Sequence, residues 1–266
     1  MMTCKIKQSA VLGIVLTVVM MLCCGQEASA RRNVVAVPKS EVRTVPIAHN
    51  LVVEAPFLVE LTAGMEPGRV EIESDSLFLP YIETVVDNFT LVIRVSNAKP
   101  KRVTQAVPVR IRLNHDWLSI VASKGAEIRS EEVIQAADMT ISLSGAQLRA
   151  NLMCMNLKME CTGHSLFDGN VEATFVDLTL EQQSEFHAFG MIEKMLAYCT
   201  TGSRIDMLKA ACNHFYLECY QQSEARAQVL ENLNVKAHGD CSVVYAGGCS
   251  VALSPDTPAE VVSPYK

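Results

Sequence analysis

From Leu118 to Gly247 apolar and polar positions alternate in short bursts that keep restarting. Each burst sets apolar residues at alternate positions, then a small or polar cluster, then a second apolar pair. The restarts are LSIVASKGAEI at Leu118, MTISLSGAQL at Met139, LKMECTGHSL at Leu157, LTLEQQSEF at Leu178, MLAYCTTGSRI at Met195, FYLECYQQSEA at Phe215 and LNVKAHGDCSV at Leu233. Seven starts between Leu118 and Leu233 give a repeat of about 19 residues, at the short end of the solenoid range. Period two predicts strands. The odd positions (Leu118, Ile120, Ala122; Met139, Ile141, Leu143; Phe215, Leu217, Cys219) then face inward, while Thr140, Ser142, Lys158, Glu160, Thr179, Glu181, Asn234 and Lys236 face outward. A second inward file follows each turn: Ile128, Leu148, Leu166, Phe186, Ile205, Ala225 and Val243. Gly125, Gly145, Gly163, Gly202 and Gly239 fall near the corner between the two strands. Stacked in register at about 4.8 Å, seven such coils predict an all-β fold, a parallel β-solenoid section roughly 29 Å long. A transmembrane barrel would need paired segments of about 10 residues with an apolar outer face. Here the apolar face belongs to a short strand followed by a corner, so a barrel is rejected.

The rest of the chain divides around these repeats. Residues 46–115 are β-rich without the repeat, with LVVEAPFLVELTAG, RVEIES, TLVIRV and PVRIRL as strands, and they read as an irregular segment capping the solenoid. The repeats proper occupy 116–252, one continuous domain with that cap. Residues 31–45 read as a linker or a first edge. Residues 253–266, with Pro255, Pro258 and Pro264, read as a loose tail. Residues 1–30 are an export signal: Lys5 and Lys7 precede an apolar run from Ala10 to Leu22, and Ala28-Ser29-Ala30 has the small-x-small pattern of a cleavage site. The run of about 13 residues falls short of the roughly 20 that cross a bilayer. The alternative is a lipoprotein acylated at Cys23 or Cys24. That signal usually places Leu three residues before the cysteine, where Met20 and Met21 stand.

Removing a leader with two lysines and one glutamate from 23 basic and 29 acidic residues leaves 21 and 28, a net charge of −7. Such a chain is not built to hold nucleic acid or anionic lipid, and it has no second apolar run long enough for a membrane-spanning helix. Seven cysteines remain (Cys154, Cys161, Cys199, Cys212, Cys219, Cys241, Cys249), an odd number, so at least one stays free or pairs between chains. Cys161, Cys199 and Cys219 each sit four residues after a restart, where other repeats carry Ala122, Leu143, Gln182 and Ala237. They read as small buried hydrophobes. There is no CxxC pair or zinc-spaced Cys/His cluster, so no metal site and no cofactor is expected.

The stretch LPYIETVVDNFTLVIRV, the strand PVRIRL and repeats like LSGAQL resemble the putative auto-transporter adhesin head domain, or head GIN domain, family of exported Bacteroidetes proteins. The resemblance runs from about Pro46 to Ala252. The Ser-Gly-Ala corner of the family is intact only at Ser144-Gly145-Ala146. The resemblance implies a right-handed, single-stranded parallel β-helix and a domain without an established activity.

Two functions follow from different classes. The first is a non-catalytic interaction module, exported to the periplasm, the cell surface or beyond, that binds a protein or glycan. The second is a carbohydrate-active solenoid lyase or hydrolase, which needs carboxylates aligned on neighbouring coils. Glu160, Glu181 and Glu218 are the outward carboxylates, one per coil and not on every coil, and His164 with Asp168 is the one imaginable His/Asp pair; a solvated face and a turn histidine account for them. The polar outward pattern lapses at Leu196, Tyr198 and Tyr216, which a parallel stack would bring together as an apolar patch. The tail, or another copy of the chain, is the alternative cover for that patch. Cleavage after Ala30 gives a mature chain whose first residue is Arg31, which intact-mass spectrometry of the exported protein checks. A fatty-acid label lost on Cys23→Ser or Cys24→Ser would instead establish the lipoprotein.

Overall fold

The computed structural model describes residues 37–99, 105, 107–258 and 262–265. The leader with Ala30, Cys23 and Cys24, the first part of the linker, and the basic residues Lys101 and Arg102 lie outside the described residues. The rest is a parallel β-solenoid of about eight turns. Among the described residues no helix is long and apolar enough to cross a membrane.

Six long strands make the body: β9 (Glu127–Ser144), β10 (Gln147–Thr162), β11 (Leu166–Leu180), β12 (Glu185–Cys199), β13 (Arg204–Tyr220) and β14 (Glu224–His238). The earlier strands are β1 (Pro38–Thr44), β2 (Asn50–Glu54), β3 (Leu58–Leu61), β4 (Arg69–Asp75), β5 (Ile82–Asp87), β6 (Thr90–Val95), β7 (Arg110–Leu113) and β8 (Ser119–Ser123). After the body come β15 (Ser242–Ala246), β16 (Ser250–Leu253) and β17 (Val262–Pro264). Each long strand serves two ladders. Its first residues extend the ladder β1–β4–β7–β3, and its last residues extend β5–β6–β2–β8. The strand bends between the two, and at that bend a Cβ on Gly169 would collide with the carbonyl oxygen of Ala150, so a side chain is excluded there. Side chains stack coil on coil inside: Phe167 and Phe186 lie with ring centroids 5.1 Å apart.

The coils turn through corners whose central residues have positive φ. Gly163 and His164 (65° and 63°) and Gln182 and Gln183 (56° and 60°) serve alike. A serine closes four successive corners. Ser165, Ser184, Ser203 and Ser223 are buried, and their hydroxyls donate to the carbonyls of Thr162, Glu181, Thr200 and Tyr220 at 2.6–2.7 Å. The Ser165, Ser184 and Ser203 hydroxyls also accept from the amides of Ala146, Ser165 and Ser184 in the preceding coil, at 3.2–3.3 Å. A buried polar file is thereby satisfied throughout, which is the condition for tolerating one.

The structure corrects several sequence expectations. The solenoid begins well before Leu118, because β2 and β3 pair in parallel with β8 and β9, and β6 and β7 pair in parallel with β2 and β3. Within 46–115, only the antiparallel β4 and β5 act as caps, and β1, in the stretch read as linker or first edge, covers β4. Val176, not Leu178, is level with Leu157 and Met195. A two-residue slip keeps every side chain on its own face, so alternation alone does not detect it. Leu180 consequently holds the place assigned to Gln182, which sits on the corner instead. Phe167 takes the inward place assigned to Leu166, a one-residue slip that swaps faces. Leu118 is 51% exposed; its neighbour Trp117 is buried instead, with its indole N–H bonded to the Asn114 carbonyl. The tail is not loose where described: Thr257 is buried, takes the Ala237 amide on its hydroxyl at 3.0 Å, and so closes the last corner, while β17 pairs with β15.

Cys161, Cys199 and Cys219 lie fully buried in the file Ala122, Leu143, Cys161, Leu180, Cys199, Cys219, Ala237. All seven described cysteines are free thiols. Burial pushes the Cys161 and Cys212 thiols up to about 12, and burial with the nearby Asp138 carboxylate pushes Cys154 to about 11.

Two outcomes follow. Ser184→Ala strips partners from the Glu181 carbonyl and the Ser165 amide, and should cost about 1–3 kcal/mol in a denaturant titration. The thiols give a pH signature. Unfolded thiols release protons from about pH 9, their ordinary value of 9.0, whereas the buried ones hold theirs to about 11–12. The unfolded state is therefore favoured as pH rises above about 9, so the denaturation midpoint should fall there, and Cys161→Ala with Cys212→Ala should flatten the slope.

Candidate functional site

The second ladder's outward side carries two relevant files. One runs Lys158, Asp177, Leu196, Tyr216, Asn234, Ala252; the next runs Glu160, Thr179, Tyr198, Glu218, Lys236. Parallel, in-register pairing of β12 with β13 sets Leu196 directly beside Tyr216, with Tyr198 two residues along β12. The three side chains singled out from sequence are thus brought together, and they are 38, 40 and 39% exposed. More rings join them. Tyr220 lies 5.5 Å from Tyr198, and His238 stacks on Tyr220 at 5.0 Å. The Lys194 ammonium stands 5.3 Å over the Tyr216 ring and 5.9 Å over that of Phe175. Sequence reasoning missed Tyr220 and His238, which stand at the corner after the alternating run, and Phe175 and Lys194, which stand just before it, although spacings of 18–20 residues between levels would have aligned them.

Tyr220 and His238 border a hollow on the corner side. Leu196, Tyr198 and Tyr216 line a neighbouring hollow of about 670 Å³, with Glu218 and Lys236 on its wall. Its polar rim is a small network: the Tyr220 hydroxyl donates to Glu218 at 3.2 Å, and the Lys236 ammonium lies 3.4 Å from the same carboxylate. Tyr220 and then Glu218 hold the Lys236 ammonium above its ordinary value, so the rim keeps a fixed charge pattern. Ala252, Leu253, Ser254 and Pro255 form one end of the hollow. The start of the tail therefore walls the patch at one end and leaves its rings open.

The carboxylates considered for catalysis do not converge. Glu160 and Glu218 share a file but stand three coils apart, and each is next to a lysine, Lys158 at 2.9 Å and Lys236 at 3.4 Å. Glu181 belongs to a different file. His164 is exposed on its corner. A different set is level on the first ladder: Arg149, Asp168, His187, Asp206 and Arg226, the last four bordering one hollow. Here His187 lies 3.0 Å from Glu185, and Asp206 lies 3.5 Å from Arg226. Among the described residues no three His, Cys, Asp or Glu side chains are grouped to hold a metal.

A family model described as "Putative auto-transporter adhesin, head GIN domain" matches residues 49–249. Solved structures are similar in fold. A putative adhesin from Parabacteroides distasonis is 15% identical with a TM-score of 0.77, the match covering 86% of this chain and 95% of that one. A putative adhesin from Parabacteroides merdae is 15% identical with a TM-score of 0.73, covering 85% and 93%. A second Parabacteroides distasonis protein, named a putative lipid binding protein, is 12% identical with a TM-score of 0.66, covering 85% and 94%. At these identities the likeness speaks to fold alone. No curated protein matches the chain.

Proposed function

The chain belongs to the auto-transporter adhesin head GIN domain family, and on that premise we propose that it is an exported, non-catalytic interaction module. Its aromatic hollow binds a protein or glycan partner at the cell surface or in the periplasm. The observation that carries this reading is the convergence of Leu196, Tyr198, Tyr216 and Tyr220 on one rigid face. Rings held by stacked strands lose little entropy on binding, and each offers apolar area beside a hydroxyl. The export signal read at residues 1–30 supports that location. Non-catalytic action is supported by the aligned carboxylates standing beside lysines and arginines of the same face.

A carbohydrate-active enzyme has one arrangement in its favour, the level set Asp168, His187 and Asp206 beside one hollow. Asp168 and Asp206 are two coils apart, roughly 10 Å at the strand-pairing distance. Release of reducing ends from bacterial or host polysaccharides, abolished by Asp168→Asn, would replace the present proposal with that one.

The test of the module is binding. A glycan and protein array should identify ligands, and changing Tyr198 and Tyr216 together to Ser should weaken the best of them about tenfold or more. Thermal unfolding should stay within a few degrees, since both rings are exposed. Lost stability with binding untouched would make the patch structural and end the proposal.

A further inference from the structure

Stacked sheets end in edges, and how each edge is protected says what it is for. Among the described residues four strands pair on one side only: β1, β5, β16 and β17. Three carry the usual protections. β1 has Pro38, Lys39, Glu41 and Arg43. β5 carries Glu83, ion-paired with Arg94 at 2.8 Å, and Asp87, and its Ile82 carbonyl is taken by Arg43. β17 is three residues long and ends in Pro264.

β16, four residues long, has neither charge nor proline. Its sequence is Ser-Val-Ala-Leu, and all four residues are exposed. It pairs with β14 alone, Asn232 to Val235 facing Ser250 to Leu253. Val251 and Leu253 continue the inward files of Leu233 and Val235, yet they are 38 and 37% exposed while those two are buried. The interior of the second ladder is therefore left open at this end. The first ladder is closed at the same end by β17.

From this we infer that the outer edge of β16 is a strand-acceptor site, taking an extended polypeptide segment of a partner with apolar residues at alternate positions. The chemistry selects the class of partner. A row of amide and carbonyl groups at strand spacing, without a strand partner among the described residues, is matched only by another main chain, and alternate apolar side chains would cover Val251 and Leu253 as a further coil would. A glycan or lipid offers no such pattern. The site is distinct from the ring-lined hollow, although Ala252 and Leu253 border both.

The probe is a fluorescein-labelled peptide of sequence ENLNVKA, that of residues 231–237, offered to the full chain. Saturable binding is expected, with slowed amide exchange at Ser250–Leu253. Val251→Lys, at a position already open to water, should weaken binding at least tenfold without changing the melting temperature. The same peptide N-methylated at alternate residues, which leaves the protein untouched, should not bind. Tyr198→Ser with Tyr216→Ser should bind the peptide as the unaltered chain does, so that failure here and failure of the hollow are told apart. No saturable binding, equal binding of the N-methylated peptide, or unchanged exchange at Ser250–Leu253 would each overturn the site.

Discussion

Coil-over-coil pairing at about 4.8 Å is the constraint on which the rest of this molecule depends. It makes every side chain the close neighbour of its equivalents above and below. Inside, a file must be filled by groups that stack, and Phe167 on Phe186 or Cys199 beside Cys219 meet that demand with very different chemistry. Outside, like charges at such spacing repel. The surface answers with opposite charges on adjacent levels, as in Arg204 with Glu224, Arg226 with Asp206 and Lys236 with Glu218. The corner serines solve the same problem for polar groups, three of the four hydroxyls serving both their own coil and the one before it.

Much of this was legible in the amino-acid order because the constraint writes itself as alternation plus repeat. Leu157, Met159 and Cys161 are buried together as their spacing requires, and the corner glycines all have positive φ. What alternation does not encode is register. A slip of two at Val176 and Leu178 preserves both faces, and the extra corner residue before Leu166 shifts the interior place to Phe167. The serine file went unnoticed because a serine beside a turn is unremarkable until the neighbouring coils are placed around it.

The binding face shows the same division. Leu196, Tyr198 and Tyr216 stood out because they interrupt a polar pattern. Tyr220, His238 and Phe175 did not, since each lies at the margin of its repeat and acquires meaning only beside a ring on another level. The level set Asp168, His187 and Asp206 was equally hidden, its members standing 19 residues apart with nothing local to link them. A surface assembled from one residue per coil is dispersed in sequence by about twenty residues at each step, which local motifs do not span.

The out-of-order stacking of the first coils has a kinetic corollary. β2 and β3 lie between β6–β7 and β8–β9, so both their neighbours come later in the chain. Along β9–β14, by contrast, each strand meets one just made, and pairing can spread like a zip. Bringing β6 to β2 closes a loop about twice the usual repeat, an entropic penalty of only about 0.6 kcal/mol. Equilibrium hardly registers the detour, but the order of events does. A chain emerging amino end first holds two unpaired strands in waiting until most of its first hundred residues have followed.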